Sequence, residues 1–234
     1  VKAPSASLVR TPQGYGAVVP PFTAWPLNAD NRVRYDLAAL YPTIQGEGLN
    51  AGRAMTIVRL QGCPVGCIWC DTPESWDPSR PQLAQQRGDA IAQTVDNHGL
   101  GWALITGGEP TWHDLTCLTV MCRRLGIKTA LETSGTMPIS GEWDWVTLSP
   151  KPRGALPLLP VWISIASELK WVVGSVRDLE RLRAFLTEYD RPDLPVLIQP
   201  ISAKPHTTRL CVEAVMDEPR YRLSLQTHKI LDIA

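Results

Sequence analysis

Gly62-Cys63-Pro64-Val65-Gly66-Cys67-Ile68-Trp69-Cys70-Asp71-Thr72 sets three cysteines at Cys-x3-Cys-x2-Cys spacing inside one loop bearing glycine and proline. Iron–sulfur cubanes usually take four cysteine thiolates. Three thiolates at this spacing hold three irons and leave the fourth open to a substrate or cofactor, which suits chemistry better than passive electron carriage. A structural zinc site calls for a fourth Cys or His at ligand spacing, and neither stands close by. A disulfide framework fits poorly too, because six cysteines in 234 residues are sparse for a stapled secreted domain and no signal-peptide pattern precedes them.

Outward from this loop, short apolar runs alternate with amphipathic stretches from Asp36 onward, the pattern of repeated strand and helix units. Strands are predicted over Met55 to Leu60, Trp102 to Thr106, Ile127 to Glu132, Trp145 to Leu148, Leu169 to Val173 and Pro195 to Gln199. Helices are predicted around Gln82 to Asn97, His113 to Leu125, Val176 to Tyr189 and Thr207 to Val215. Parallel strands need such crossovers. Polar residues gather at or just past the carboxyl ends of these strands, where barrel-like α/β folds place their active sites. They are Arg59, the run Thr106-Gly107-Gly108-Glu109-Pro110, Glu132-Thr133-Ser134-Gly135, Ser149-Pro150-Lys151 and Gln199-Pro200-Ile201-Ser202.

Composition places the chain among ordinary globular proteins, with 44% hydrophobic and 20% charged residues. Its 23 basic and 23 acidic side chains cancel, so there is no net field for phosphate backbones and no nucleic-acid partner is expected. No window reaches the length of a transmembrane helix, and a cytoplasmic location is expected. Cys117, Cys122 and Cys211 sit in apolar stretches and read as core residues, since cysteine packs as a small hydrophobe. Most of the nine tryptophans read as packing residues or pocket walls. Residues 1–35 carry Pro4, Pro12, Pro20, Pro21 and Pro26 without a sustained apolar period, and are expected to be a mostly disordered leader. A single catalytic domain spans residues 36–234.

The cysteine loop together with Gly107-Gly108-Glu109-Pro110 after the next strand resembles the radical S-adenosylmethionine superfamily. Glycine-proline punctuation alone would mark any turn, and the pairing of the two motifs carries the likeness. Within the superfamily, Thr43-Ile44-Gln45-Gly46-Glu47-Gly48, Ser149-Pro150-Lys151 and Leu223-Ser224-Leu225-Gln226-Thr227-His228-Lys229 resemble the 7-carboxy-7-deazaguanine synthases from Tyr41 to Ala234. The resemblance implies an incomplete (β/α)6 TIM-like barrel and a homodimer. It also implies the contraction of 6-carboxy-5,6,7,8-tetrahydropterin to 7-carboxy-7-deazaguanine with loss of ammonia, in 7-deazapurine (queuosine precursor) biosynthesis. The expected cofactors are a 4Fe-4S cluster, S-adenosylmethionine and Mg2+, with flavodoxin or ferredoxin as electron donor.

Residue roles follow from the same resemblance. Cys63, Cys67 and Cys70 would ligate iron, and Thr72 would offer its hydroxyl to magnesium, which prefers oxygen ligands and keeps several waters. Trp69, Cys70, Asp71, Gly108, Ser149, Pro150, Lys151, Gln199, Pro200, Ile201 and Ser202 would contact S-adenosylmethionine. At Gly108 the missing Cβ would admit the methionine amino group. Ile44, Gln45, Gly46, Arg59, Thr106, His228 and the terminal carboxylate of Ala234 would contact the pterin, Arg59 pairing with its carboxylate. Glu47 and Glu132 are weaker candidates for polar contacts in the pocket, an exposed surface carboxylate being the default reading for each. The leader before Tyr41 and the stretch Pro152 to Ser167 match no family motif. Three other functions compete: a different radical enzyme such as a glycyl-radical activase, a zinc-binding interaction module, and a regulatory protein that keeps the fold without turnover.

Overall fold

The computed structural model describes residues 8–11, 14–17 and 33–233. Strands β1 (Leu8–Thr11) and β2 (Gly14–Ala17) pair antiparallel in a separate two-stranded sheet. The rest of the expected leader, up to residue 32, lies outside the described residues.

The body is one nine-stranded sheet built on β4 (Ala54–Leu60), whose residues from Met55 on are buried except the half-buried Arg59. Covered on both faces, it reads as a continuous apolar run, as a central parallel strand does. From it the sheet continues through β6 (Trp102–Gly107), β7 (Lys128–Thr133), β8 (Trp145–Leu148), β9 (Glu168–Val173) and β10 (Val196–Pro200), each parallel to its neighbour. These are the six strands expected from the apolar runs. Helices α1 (Gly88–Asn97), α2 (Thr116–Arg124), α4 (Val176–Glu188) and α5 (Pro205–Asp217) return the chain between them, and α3 (Val161–Ile165) adds one turn after β8. The main core packs Val58, Leu60, Ile105, Leu131, Leu148, Leu169 and Ile198 of the strands against Ile91, Leu118, Leu179 and Cys211 of the helices. Cys117, Cys122 and Cys211 are all fully buried, as expected. The result is an incomplete barrel, open at one side.

Besides β1 and β2, three strands of the large sheet escaped the sequence. The long β3 (Arg34–Ile44) runs antiparallel to β4, and its mixed run Arg-Tyr-Asp-Leu followed by Pro42 hides it. Beside it, β5 (Leu83–Arg87) pairs with β3 only at Arg34, Tyr35 and Leu37. The Pro42 stretch is therefore a sheet edge, where a residue without an N–H is tolerated. The helix expected over Gln82 to Asn97 is corrected accordingly: Leu-Ala-Gln-Gln-Arg are good helix formers, but pairing with the open edge of β3 overrides that weak preference. The helix starts only at Gly88, where a Cβ would press on the Leu118 backbone at 3.3 Å, so glycine lets α1 lie close to α2. The third, β11 (Tyr221–Leu223), extends the parallel series beside β10, and the short α6 (Thr227–Leu231) follows it. Helix α2 starts later than His113 because Pro110–Trp112 form a 3-10 turn and His113 bonds to the Gln61 carbonyl at 2.8 Å. Among the described residues, no helix is long and apolar enough to cross a membrane.

Candidate active site

The cysteine loop leaves β4 and is fastened on both sides by backbone bonds. Gly62 N donates to Ser75 O at 2.8 Å, Cys63 N to Trp76 O at 3.1 Å, and Glu109 N to Gly62 O at 2.9 Å. A Cβ on Gly108 would collide with the Gly62 carbonyl oxygen and reach Cys63 Cβ at 2.8 Å. The end of β6 thus presses directly on the loop, a close approach that only glycine permits. Glu109 next to it is 2% exposed. Its carboxylate accepts from Thr111 N at 3.2 Å, Thr111 Oγ1 at 2.7 Å, Thr133 Oγ1 at 2.6 Å, Ser134 N at 2.8 Å and Ser134 Oγ.

Cys63 and Cys67 lie with Val65 in a small apolar cluster flanked by Trp69, Cys70 and Trp76. Burial raises both thiols, Cys67 to about 11 and Cys63 further, so a metal must displace their protons. Cys70 Sγ accepts from Trp76 Nε1 at 3.2 Å and Thr72 N at 3.4 Å, donors of the kind that tune a cluster sulfur. Among the described residues, no group of three or more His, Cys, Asp and Glu side chains surrounds a single ion position; a cubane instead asks for one thiolate per iron at separate corners. Three sulfur donors in an apolar shell, all opening on one cavity, fit such a cluster.

That cavity, about 310 Å³, lies at the carboxyl ends of the strands. From the cysteine loop it receives Cys63, Cys67, Trp69, Cys70, Asp71 and Thr72. Gly108 joins them from β6, Ser149 and Lys151 from the end of β8, and Gln199 through Ser202 from the end of β10. Ser202 takes a left-handed conformation, φ 52°, uncommon for a residue with a Cβ. Pro150 is not in the lining. Lys151 Nζ donates to Ser149 Oγ at 2.6 Å, and burial depresses its ammonium. Trp69 lies under the Arg153 guanidinium, 4.4 Å from the ring centroid.

The opposite wall is made by Ile44, Gln45, Gly46, Arg59, Thr106 and His228. Arg59 and Thr106 are register partners on β4 and β6. Gln45 Nε2 donates to Glu132 Oε1 at 2.8 Å, and its own oxygen accepts from Gly46 N at 2.9 Å. A Cβ on Gly46 would meet the His228 ring and backbone, and Thr227 N donates to Gly46 O at 2.9 Å, so the segment from Gln226 on closes over this wall. Ala234 lies outside the described residues.

Glu47 and Glu132 are not exposed surface carboxylates: both line the cavity, their side chains 13% and 18% exposed. The residue that draws them in went unread. Lys170, on β9, is paired with Glu47 and lies 3.3 Å from Glu132 Oε2. Its signal was alternation, since Glu168, Lys170 and Val172 share one face of β9 while Leu169, Trp171 and Val173 fill the core. Gln226, buried at the start of α6, stands in the motif Leu223 to Lys229 but carried no role of its own there.

A family model described as a 4Fe-4S single cluster domain matches residues 44–158. The chain is 37% identical over 226 residues to the 7-carboxy-7-deazaguanine synthase of Escherichia coli (strain K12), covering 86% of this chain and all of that one. The crystal structure of QueE from Escherichia coli superimposes with a TM-score of 0.74 at 34% identity, over 83% of this chain and 94% of that one. Streptococcus suis SuiB bound to S-adenosylmethionine shares the fold at 13% identity and a TM-score of 0.51, over 72% and 49% of the two chains.

Proposed function

Because this chain belongs to the 7-carboxy-7-deazaguanine synthase family, we propose that the cavity at the mouth of its incomplete barrel holds the iron–sulfur cluster, S-adenosylmethionine and the pterin together. The enzyme is a radical S-adenosylmethionine lyase of 7-deazapurine biosynthesis, contracting 6-carboxy-5,6,7,8-tetrahydropterin to 7-carboxy-7-deazaguanine with loss of ammonia. The observation that carries the site is the convergence of three thiols and a polar wall on one cavity.

Cys63, Cys67 and Cys70 are the residues that would hold the cluster, by three of its irons. When bound, the cluster and S-adenosylmethionine supply a 5′-deoxyadenosyl radical that takes hydrogen from the substrate. Trp69 offers a flat apolar face, backed by Arg153, and it lines the cofactor with Asp71 and Gly108. Ser149 and Lys151, on either side of Pro150, and Gln199 through Ser202 close around the remainder of that cofactor. On the facing wall, Arg59 receives the pterin carboxylate in a charge-assisted pair, while Gln45, Thr106, His228 and the backbone of Ile44 and Gly46 meet the donors and acceptors of the planar ring. Thr72, whose hydroxyl lies 3.7 Å from Cys70 Sγ, would offer one oxygen to Mg2+. A homodimer reduced by flavodoxin or ferredoxin, working in the cytoplasm, is the form we infer from the family.

An anaerobic assay of reconstituted, reduced protein with S-adenosylmethionine, Mg2+ and the tetrahydropterin tests this, with Cys67→Ala as control. Product mass present in the parent and absent in the control supports the reading. Cleavage of S-adenosylmethionine without deazaguanine refutes the pterin assignment, and zinc bound without iron or sulfide refutes the cluster.

A further inference from the structure

One continuous run of polar contacts lines the cavity, and of its members only Asp71 has a task in the scheme above. It starts on β7 at Glu132, whose Oε2 lies 3.3 Å from Lys170 Nζ. Lys170 Nζ also donates to Glu47 Oε2. Glu47 Oε1 accepts from Gln226 Nε2 at 2.8 Å, and the same nitrogen donates to Asp71 Oδ2 at 2.9 Å. Asp71 sits between two residues of the cysteine loop, Cys70 and Thr72, and accepts from Lys229 Nζ at 2.8 Å. Five segments distant in sequence are thereby joined: the end of β7, the middle of β9, the loop after β3, the residues leading into α6, and the cysteine loop.

The central members are costly to place there. The Lys170 side chain is 6% exposed, and a buried ion pair rarely outweighs a well-packed apolar substitute in stability. Packing therefore does not account for it. Burial opposes its charge, yet the flanking carboxylates hold the ammonium above lysine's ordinary range. Against the same burial penalty, Lys170 keeps Glu47 ionised well below its ordinary range. Gln226 uses its whole amide: both N–H groups reach carboxylates, and Oε1 accepts from Lys229 Nζ at 2.9 Å. A glutamate here would set a third negative charge between two others; an apolar residue would leave Glu47 and Asp71 without a bridge.

Resting on the function proposed above, we infer that Lys170 and Gln226 are positioning residues that tie the pterin wall and the C-terminal segment to the cysteine loop, coupling radical formation to a seated substrate. Lys170 draws together two carboxylates that would repel each other, and through Glu132 it fixes the amide of Gln45. Gln226 anchors the segment that carries His228 across Gly46. Neither residue touches the thiols, so their loss is expected to loosen the pterin side and leave the iron side intact.

The test compares wild type, Gln226→Leu, Lys170→Met and Lys170→Arg. Its readouts are iron and sulfide content, the 5′-deoxyadenosine released per deazaguanine formed, KM against kcat for the tetrahydropterin, and calorimetric binding of oxidised 6-carboxypterin without reductant. The expected result is wild-type iron content with pterin affinity weakened by about tenfold to a hundredfold, the worth of a hydrogen bond to a charged group. The released 5′-deoxyadenosine per product should rise, and Lys170→Arg should recover part of what Lys170→Met loses. Should Lys170→Met fail to fold, Gln226→Leu decides. Unchanged coupling and pterin affinity in Gln226→Leu overturns the inference, as does activity falling only in proportion to iron. A wild type that makes no deazaguanine overturns the function proposed above and this inference with it.

Discussion

Glu109 and Glu47 are both buried carboxylates at the same barrel mouth, and they are held in opposite ways. Glu109 receives five neutral hydrogen bonds from three neighbouring residues, two of them from backbone N–H groups. These bonds fasten the turn after β6 to the end of β7, although Glu109 lines the cavity as well. Glu47 is balanced by the Lys170 ammonium and the Gln226 amide, and it faces the cavity. A carboxylate saturated by neutral donors fixes backbone; one balanced by charge along a cavity wall can respond to a polar substrate. The glycine-rich turn is on this view a frame for the cysteine loop, and the wall of β9 is where substrate is felt.

The frame breaks most completely at Gly108. In Gly108→Ala the new methyl runs into the Gly62 carbonyl and Cys63 Cβ, both backbone-fixed, and overpacking of this kind costs about 3 kcal/mol. Iron and sulfide content after reconstitution is expected to fall severely, and product with it. A variant that keeps a full cluster and loses only S-adenosylmethionine affinity would show that Gly108 serves the cofactor contact and not the frame.

Glu109→Ala comes next. Two backbone donors lose their acceptor, while the hydroxyls keep partial substitutes in the Thr111–Thr133 contact at 3.3 Å and the Ser134–Thr136 contact at 2.9 Å. A loss of about 2 to 3 kcal/mol in urea unfolding is expected. If stability held while turnover vanished, Glu109 would belong with Glu47 and the contrast would collapse.

The same contrast explains what the sequence could disclose. The cysteine loop, the glycine turn and the six parallel strands are written in contiguous residues, so spacing and apolar runs reveal them and put their polar ends at one mouth. The wall is written in pairs far apart: Lys170 meets Glu47 across 123 positions, and Gln226 meets it across 179. No local pattern announces a partner at that range, which is why Glu47 and Glu132 stand in the sequence only as weaker pocket candidates. Strands β3 and β5 were hidden for a related reason, because edge pairing is decided by the neighbouring strand more than by the segment's own residues.

Acid titration sharpens the wall side. Glu47 is held at about 2, down from its ordinary 4.5; burial works against this, and the Lys170 ammonium with its hydrogen bond overcomes it. A depressed folded value means the group stabilises the fold fully above its unfolded value and loses that contribution as pH falls from about 4.5 toward 2. Urea midpoints of the parent and Glu47→Gln should therefore differ clearly at pH 6 and converge on acidification. A gap independent of pH would show that Lys170 does not discriminate the ionised form.

The smallest effect belongs to the shell between frame and wall. Arg153 stacks on Trp69 at 4.4 Å and lies 3.5 Å from Asp178, and its side chain is 38% exposed. An exposed cation–π contact is worth about 0.5 to 1 kcal/mol, so Arg153→Ala should cost no more than that in stability. S-adenosylmethionine affinity, followed by calorimetry on the reconstituted protein, should weaken by about fivefold or less. Trp69 also packs in the apolar cluster of Cys63, Val65 and Cys67, and this packing is what keeps the loss small. A larger loss of affinity would mean that the ring is oriented from outside by Arg153. The loop Pro152 to Ser167, which matches no family motif, would then form part of the cofactor wall.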